Sequence, residues 1–303
     1  MSKKVKEQSS LNQIKTSTNV LFNIIFLFLG LMCIFPLLFV FSISITSEEA
    51  LRSGTYQIIP QQLSNAAYMF LWNERGTILR AFCMSVLVTV VGTVITIILT
   101  TSMGYVASRR NFKLKKLYTW IIFIPMVFNG GMLASYVVVN NILNLRNTIW
   151  ALILPNSVTM FYVLLMLNFF RGIPDEIEEA AVVDGAGWLT ILLKIYLPLS
   201  LPSLATVTLF IIVGHWNEWF DGMIYNNHTD NYPLMTFLQY HVLNFKTSDL
   251  RPEQIAANPA LADLEGRSIK SAGIVLCTLP VLVFYPFLQK YFVTGITVGS
   301  VKG

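Results

Sequence analysis

Six long stretches of this chain contain no Asp, Glu, Lys or Arg: residues 16–47, 81–108, 117–145, 147–170, 195–217 and 271–289. Each reaches or nearly reaches the about 20 apolar residues that a helix needs to cross a hydrocarbon layer of about 30 Å. Inside lipid a backbone N–H or C=O finds no water, so a spanning segment must be a helix or belong to a closed barrel. Barrel strands alternate in polarity over about ten residues. These stretches are continuous apolar runs, which selects helices. Composition agrees, because only 12% of the 303 residues are charged and 54% are hydrophobic, whereas a soluble domain carries about 25% charged residues. The expected fold class is an all-α membrane protein with six transmembrane helices, at about residues 20–46, 81–108, 117–141, 147–170, 199–220 and 271–292.

The charges between these spans set an orientation. Thirteen of the 21 Lys and Arg lie in the N-terminal segment, the 109–116 connection, the 171–194 connection and the C-terminal end, with a dense cluster at Arg109, Arg110, Lys113, Lys115 and Lys116. By the positive-inside rule both termini are cytoplasmic and the 221–270 connection is external. A basic start followed by an apolar run also describes a signal peptide. Here the run from Val20 to Ile45 is too long for one and ends without a small-residue cleavage site, so it reads as a retained anchor. Residues 1–15 are expected to be a disordered cytoplasmic segment and residues 294–303 a cytoplasmic tail, flanking a permease domain at 16–293. The net charge of +5 sits beside apolar stretches and not in an aromatic-interleaved groove, so nucleic acid is not an expected partner. Cys33, Cys83 and Cys277 are widely spaced and odd in number, which argues against a disulfide framework or a zinc site.

The connection at 171–198 is the informative one. Pro174 suits the first position of a helix, where its missing N–H is not needed. Asp175, Glu176, Glu178 and Glu179 follow in the first turns, where the helix dipole favours negative charge. Ala180 and Ala181 propagate a helix, and Gly185 with Gly187 can close it in a left-handed turn. A second short helix can run from about Trp188 to Tyr196, until Pro198. The expectation is a rigid helix–turn–helix elbow at the cytoplasmic surface, too short to span and too acidic to enter lipid.

Glu179-Ala180-Ala181, Gly185, Ile195 and Leu197-Pro198 occur at the spacing of the EAA loop, and this loop resembles that of ABC-importer membrane subunits. The segments 128–132, 150–155, 173–176, 184–186, 216–220 and 289–303 are likewise similar to the carbohydrate permease group, and more narrowly to its maltose-type members, MalG-like and LplC/YtcP-like. The resemblance covers residues 15–303. It implies the type I importer permease fold, with the elbow as a coupling helix that seats in a groove of a separate ATPase. The implied coupling residues are Glu178, Glu179, Ala180, Ala181, Asp184, Gly185, Ile195, Leu197 and Pro198. Glu179 would meet a basic group of that ATPase, and Gly185 would present it. Implied partners are a second homologous permease subunit, a dimer of ATPase subunits and an external sugar-binding protein, in a bacterial plasma membrane.

No G-x-x-x-x-G-K-[ST] occurs in the sequence, so nothing cradles a nucleotide's phosphates in the P-loop manner. ATP and magnesium are therefore expected on the partner ATPase, with no cofactor, metal or catalytic residue on this chain. His215, His228 and His241 are solitary and are expected at the outer surface. For a sugar, the candidate contacts are Trp216, Asn217, Glu218 and Trp219, which together offer aromatic faces, an amide and a carboxylate at the end of the fifth span; Trp and Tyr also gather at membrane interfaces for reasons unrelated to ligands. Asn129, beside Gly130 and Gly131, is the next candidate. Peptide, amino-acid and metal importers share the loop and stand as alternatives. An ion-coupled carrier would need titratable groups deep in its spans, and the six segments hold no Asp, Glu, Lys or Arg before Glu218.

Overall fold

The computed structural model describes residues 16–53, 57–110, 112–128, 130–244 and 266–300. Residues 1–15, Asn129, the 245–265 part of the outer connection and the last three residues lie outside these. Among the described residues the structure is helical, apart from a single antiparallel bridge between Thr46 and Leu63. In chain order the helices are α1 (Thr16–Ser44), α2 (Glu48–Arg52), α3 (Ala66–Asn73), α4 (Arg75–Ser108), α5 (Lys115–Val127), α6 (Gly131–Val137) and α7 (Trp150–Ile153). There follow α8 (Met160–Arg171), α9 (Asp175–Val183), α10 (Trp188–Ile191), α11 (Leu201–Asn217), α12 (Phe220–Tyr225), α13 (Leu234–Phe237) and α14 (Arg267–Ser300). The chain divides into two compact units, Met1–Phe70 with Lys246–Val275 and Leu71–Phe245 with Leu276–Gly303.

In the first unit, α1 leaves its apolar side chains outward, with Phe26, Leu27 and Phe28 all about two-thirds exposed. A helix that is apolar all round belongs in lipid or against another chain. Beyond it, Glu48 is almost fully buried, and its Oε1 accepts hydrogen bonds from the backbone N–H of Ser268 at 3.0 Å and from the Ser268 hydroxyl. Arg267 donates to the carbonyl of Leu51 at 3.3 Å. A carboxylate thus caps the positive end of α14, where the helix dipole favours it.

The second unit is built on α4, which packs against α8 and α11. Its buried face is small and hydroxylated, with Ser85, Thr89, Gly92, Thr96, Thr100 and Gly104, while Val90, Val94 and Ile98 point outward. In lipid no hydrophobic force drives helices together, and small residues let backbones approach closely enough for packing to do so. Gly104 shows how close: a Cβ there would lie 3.1 Å from Met166 Cβ and 3.3 Å from the backbone nitrogen of Leu167. Gly92 is closer still to its neighbour: a Cβ there would lie 2.8 Å from the ring of His215.

Three of the charge-free stretches are interrupted. The 117–145 stretch divides into α5 and α6, and α6 begins at Gly131 with φ of +80°, a region glycine reaches without steric penalty. The 147–170 stretch holds the single turn α7 and then α8, separated at Pro155, whose ring cannot continue a hydrogen-bond ladder. The 195–217 stretch bends by 88° at Ser200, between Pro198 and Pro202, where the elbow joins α11.

Gly104→Leu is expected to destabilise the second unit by about 1–3 kcal/mol through overpacking against α8. Gly76→Ala, where a Cβ meets nothing within 4 Å, should leave stability near wild type. Thermal unfolding of the detergent-purified variants checks both.

Candidate functional site

The acidic helix α9 starts after Pro174, whose ψ of 136° is extended. It ends in a closed motif: Ala186 N–H donates to the Ala181 carbonyl at 2.9 Å and Gly185 N–H to the Val182 carbonyl at 3.0 Å. That pair of bonds is a Schellman cap, with Gly185 at φ +80° in the left-handed position that the cap requires. Gly187 has an ordinary negative φ of −76° and contributes no such turn. The chain then runs through α10, a π-helical turn at Leu192–Tyr196 and the short turn Leu197–Leu199.

The elbow is fastened to the end of α4. Arg109, the residue just past α4, forms an ion pair with Glu178, and both side chains are largely buried at 13% and 17% exposure. The guanidinium lies 4.3 Å from the centre of the Trp188 ring and 5.4 Å from that of Tyr105, both within cation–π range. Tyr196 donates its hydroxyl proton to Glu178 as well. Burial pushes the Tyr196 phenol above its usual range, and Arg109 pulls it only partly back, so the phenol stays protonated and able to donate. Tyr105, Phe170 and Tyr196 pack edge to face, with Tyr105 and Tyr196 centred 4.9 Å apart. Arg110 pairs with Asp175 at 2.6 Å, but these side chains are 80% and 43% exposed, and such pairs contribute little.

The motif residues therefore separate into two sets. Ala181, Ile195 and Leu197 pack on the buried cluster of Met166, Phe170, Ile191 and Val207, and Glu178 holds Arg109. Glu179, Ala180, Asp184, Gly185 and Pro198 are exposed. Glu179 borders an open cavity of about 420 Å³ that Arg109, Arg110, Lys115, Arg171 and Glu178 also line. On the same elbow Val183, Trp188 and Leu189 are 87%, 61% and 68% exposed. Arg109 and Tyr196 were not singled out from the sequence, although the Arg109–Arg110 pair and the acidic run 175–179 are complementary in charge.

A second polar cavity, of about 130 Å³, lies among α4, α8 and α11 and is lined by Thr96, Asn156, Thr159, Tyr162, His215 and Glu218, with no Lys or Arg among the described residues of its lining. His215 differs from the surface position expected of it: it is buried against Gly92 and bonded to Thr96 Oγ1 at 3.2 Å. Of the four residues proposed at the end of the fifth span, Glu218 borders this cavity. Its Oε1 also accepts the N–H groups of Phe220 at 2.8 Å and Asp221 at 3.1 Å, capping α12. Trp216 is buried edge-on against Phe82, whereas Asn217 and Trp219 are exposed. Asn129 falls outside the described residues. Among the described residues no group of His, Cys, Asp and Glu is arranged to hold a metal ion.

Asp221 takes the Asn156 amide at 2.6 Å. Burial, and then the nearby Glu218 charge, raise its pKa from 3.8 to about 6. A raised carboxyl pKa contributes stability below the unfolded value that is lost as pH rises through the folded one. Wild type should therefore lose stability relative to Asp221→Asn as pH rises from about 4 to 6, as read by paired melting curves. Parallel curves would contradict this.

The sequence profile of the "Binding-protein-dependent transport system inner membrane component" family matches residues 97–298. Protein LplC of Bacillus subtilis is 37% identical over 283 residues, covering 93% of this chain and 94% of LplC. The polygalacturonan/rhamnogalacturonan transport system permease protein YtcP of the same organism is 35% identical over 277 residues, covering 91% and 95%. Among solved structures, a chain of a bacterial ABC transporter involved in the import of the acidic polysaccharide alginate superposes with a TM-score of 0.80 at 27% identity, over 92% of this chain and 99% of that one.

Proposed function

We propose that this chain, which belongs to the family of binding-protein-dependent transport system inner membrane components, is the permease subunit of an ATP-driven importer of carbohydrate, most specifically of an oligosaccharide. Support for a carbohydrate comes from the relatives, whose names specify a polygalacturonan and an alginate. The cavity chemistry agrees: hydroxyls, an amide, an imidazole and a carboxylate can all hydrogen-bond to a sugar's hydroxyls.

The observation that carries the coupling role is the elbow. Its acidic helix pairs Glu178 with Arg109 and leaves Glu179 exposed, on an elbow that also exposes Val183, Trp188 and Leu189. In this reading the elbow faces the cytoplasm and docks on one subunit of an ATPase dimer, and both termini are cytoplasmic. Six spans are formed by α1, α4, the pair α5–α6, the pair α7–α8, α11 and α14. At 12 residues α8 rises only about 18 Å, so α7 and the intervening turn complete that crossing. A second homologous permease completes the pore, and an external sugar-binding protein delivers substrate. Closure of the ATPases pushes the elbow, and the bundle alternates between inward- and outward-facing forms. The 130 Å³ cavity lies on the sugar's path.

Two variants test the docking role. Glu179→Lys reverses the outward charge. Gly185→Val places a β-branched residue in the left-handed region at a cost of about 1–2 kcal/mol, which unwinds the cap. Each is expected to lower co-purification with a P-loop ATPase and ATP-dependent sugar uptake by about ten-fold or more, with membrane insertion intact. Normal docking and uptake in both variants would refute the assignment.

A further inference from the structure

We propose that Arg109 is a positioning residue for transport: it clamps the elbow to the end of α4, so that a movement imposed on the elbow is delivered to α4 and along it to the polar cavity at Thr96. The proposal rests on the importer reading above and adds a specific mechanical link to it.

The elbow is joined covalently to two of the helices that border the cavity, to α8 through residues 172–174 and to α11 through the 88° bend at Ser200. Pro198 and Pro202 flank that bend, and neither supplies a backbone N–H to stiffen it, so the route into α11 has the makings of a hinge. Neither covalent route leads to α4, and the connection to that helix is through space. Arg109 holds Glu178 from α9 and lies over Trp188 from α10, while Tyr196 from the following turn reaches the same carboxylate. One cation thereby gathers all three parts of the elbow. It also sits at the end of a single uninterrupted helix on which Thr96 lies 13 residues back, about 20 Å away along the axis. A helix transmits an axial or lateral displacement over that distance as a rigid element.

The neighbouring Arg110 provides an internal comparison. It carries the same charge and has its own carboxylate partner, yet that pair is largely exposed, and solvent weakens such contacts. If charge near the elbow were sufficient, the two arginines would be equivalent. The partly buried, aromatic-sandwiched geometry belongs to Arg109 alone of the two.

The test follows a reporter at the cavity. Gly214 lines the cavity, and a Cβ there meets nothing within 4 Å. Gly214→Cys is introduced with Cys33, Cys83 and Cys277 replaced by Ala, and the chain is assembled with its partner permease, ATPases and binding protein in liposomes. The labelling rate by a water-soluble maleimide is measured with and without Mg-ATP. With Arg109 present, ATP is expected to change the rate by on the order of three-fold or more. Arg109→Gln should abolish that response while the complex still assembles and hydrolyses ATP, and Glu178→Gln should abolish the response as well. Because the two residues act through one another, the double variant should be no worse than either single one. Arg110→Gln should respond like wild type. A persistent ATP response in Arg109→Gln, or equal losses in Arg109→Gln and Arg110→Gln, would overturn the clamp and leave the importer reading intact. No ATP response even with Arg109 present would instead sink the importer reading, and the clamp with it.

Discussion

The ion pair between Arg109 and Glu178 is the contact on which the functional geometry depends. Without it the acidic helix α9 would be held by its apolar side chains and by an exposed Arg110–Asp175 pair. A partly desolvated pair is stabilising only where its remaining donors and acceptors are satisfied. Here Tyr196 fills one oxygen of Glu178, and Tyr105 and Trp188 cover the guanidinium. Breaking such a pair by removing one partner costs several times what an exposed pair contributes. That asymmetry makes the junction stiff.

The same junction gives two adjacent glutamates different surroundings. On a helix, successive residues point about 100° apart, so Glu178 pairs with Arg109 while Glu179 stays exposed on the border of the open cavity that both line. Ala180 is exposed beside it, and Ala181 packs inward on the cluster around Phe170. In the proposed coupling, the paired Glu178 ties the elbow to the bundle and the exposed Glu179 meets the ATPase.

Much of this was legible in the sequence, and the reasons for the remainder are physical. Membrane helices are set by long charge-free runs, because lipid enforces backbone satisfaction segment by segment; α1, α4 and α11 are of this kind. The Schellman turn at Gly185 is likewise local, since it needs only a glycine two residues past a helix. The break between α7 and α8 was not legible, because a proline in a membrane helix can either kink or end it, and neighbouring helices decide which. Through-space partners were also hidden. Arg109 was one cation in a basic cluster, and nothing in the periodicity aims it at Glu178. In the sequence His215 is a solitary polar residue at the end of a span, whereas in the fold the absence of a Cβ at Gly92 makes room for its ring on α4.

The most direct measurement is a distance across the junction itself. Spin labels at Ser102→Cys on α4 and Lys194→Cys on the elbow, both exposed positions, would be followed by pulsed electron resonance in the assembled complex, with the native cysteines replaced. If elbow and helix move as one body, the distance distribution is narrow and unchanged between nucleotide-free and ATP-bound states, and it broadens in Arg109→Gln. A wild-type distance that shifts when ATP binds, or an Arg109→Gln distribution as narrow as wild type, would contradict a clamped elbow.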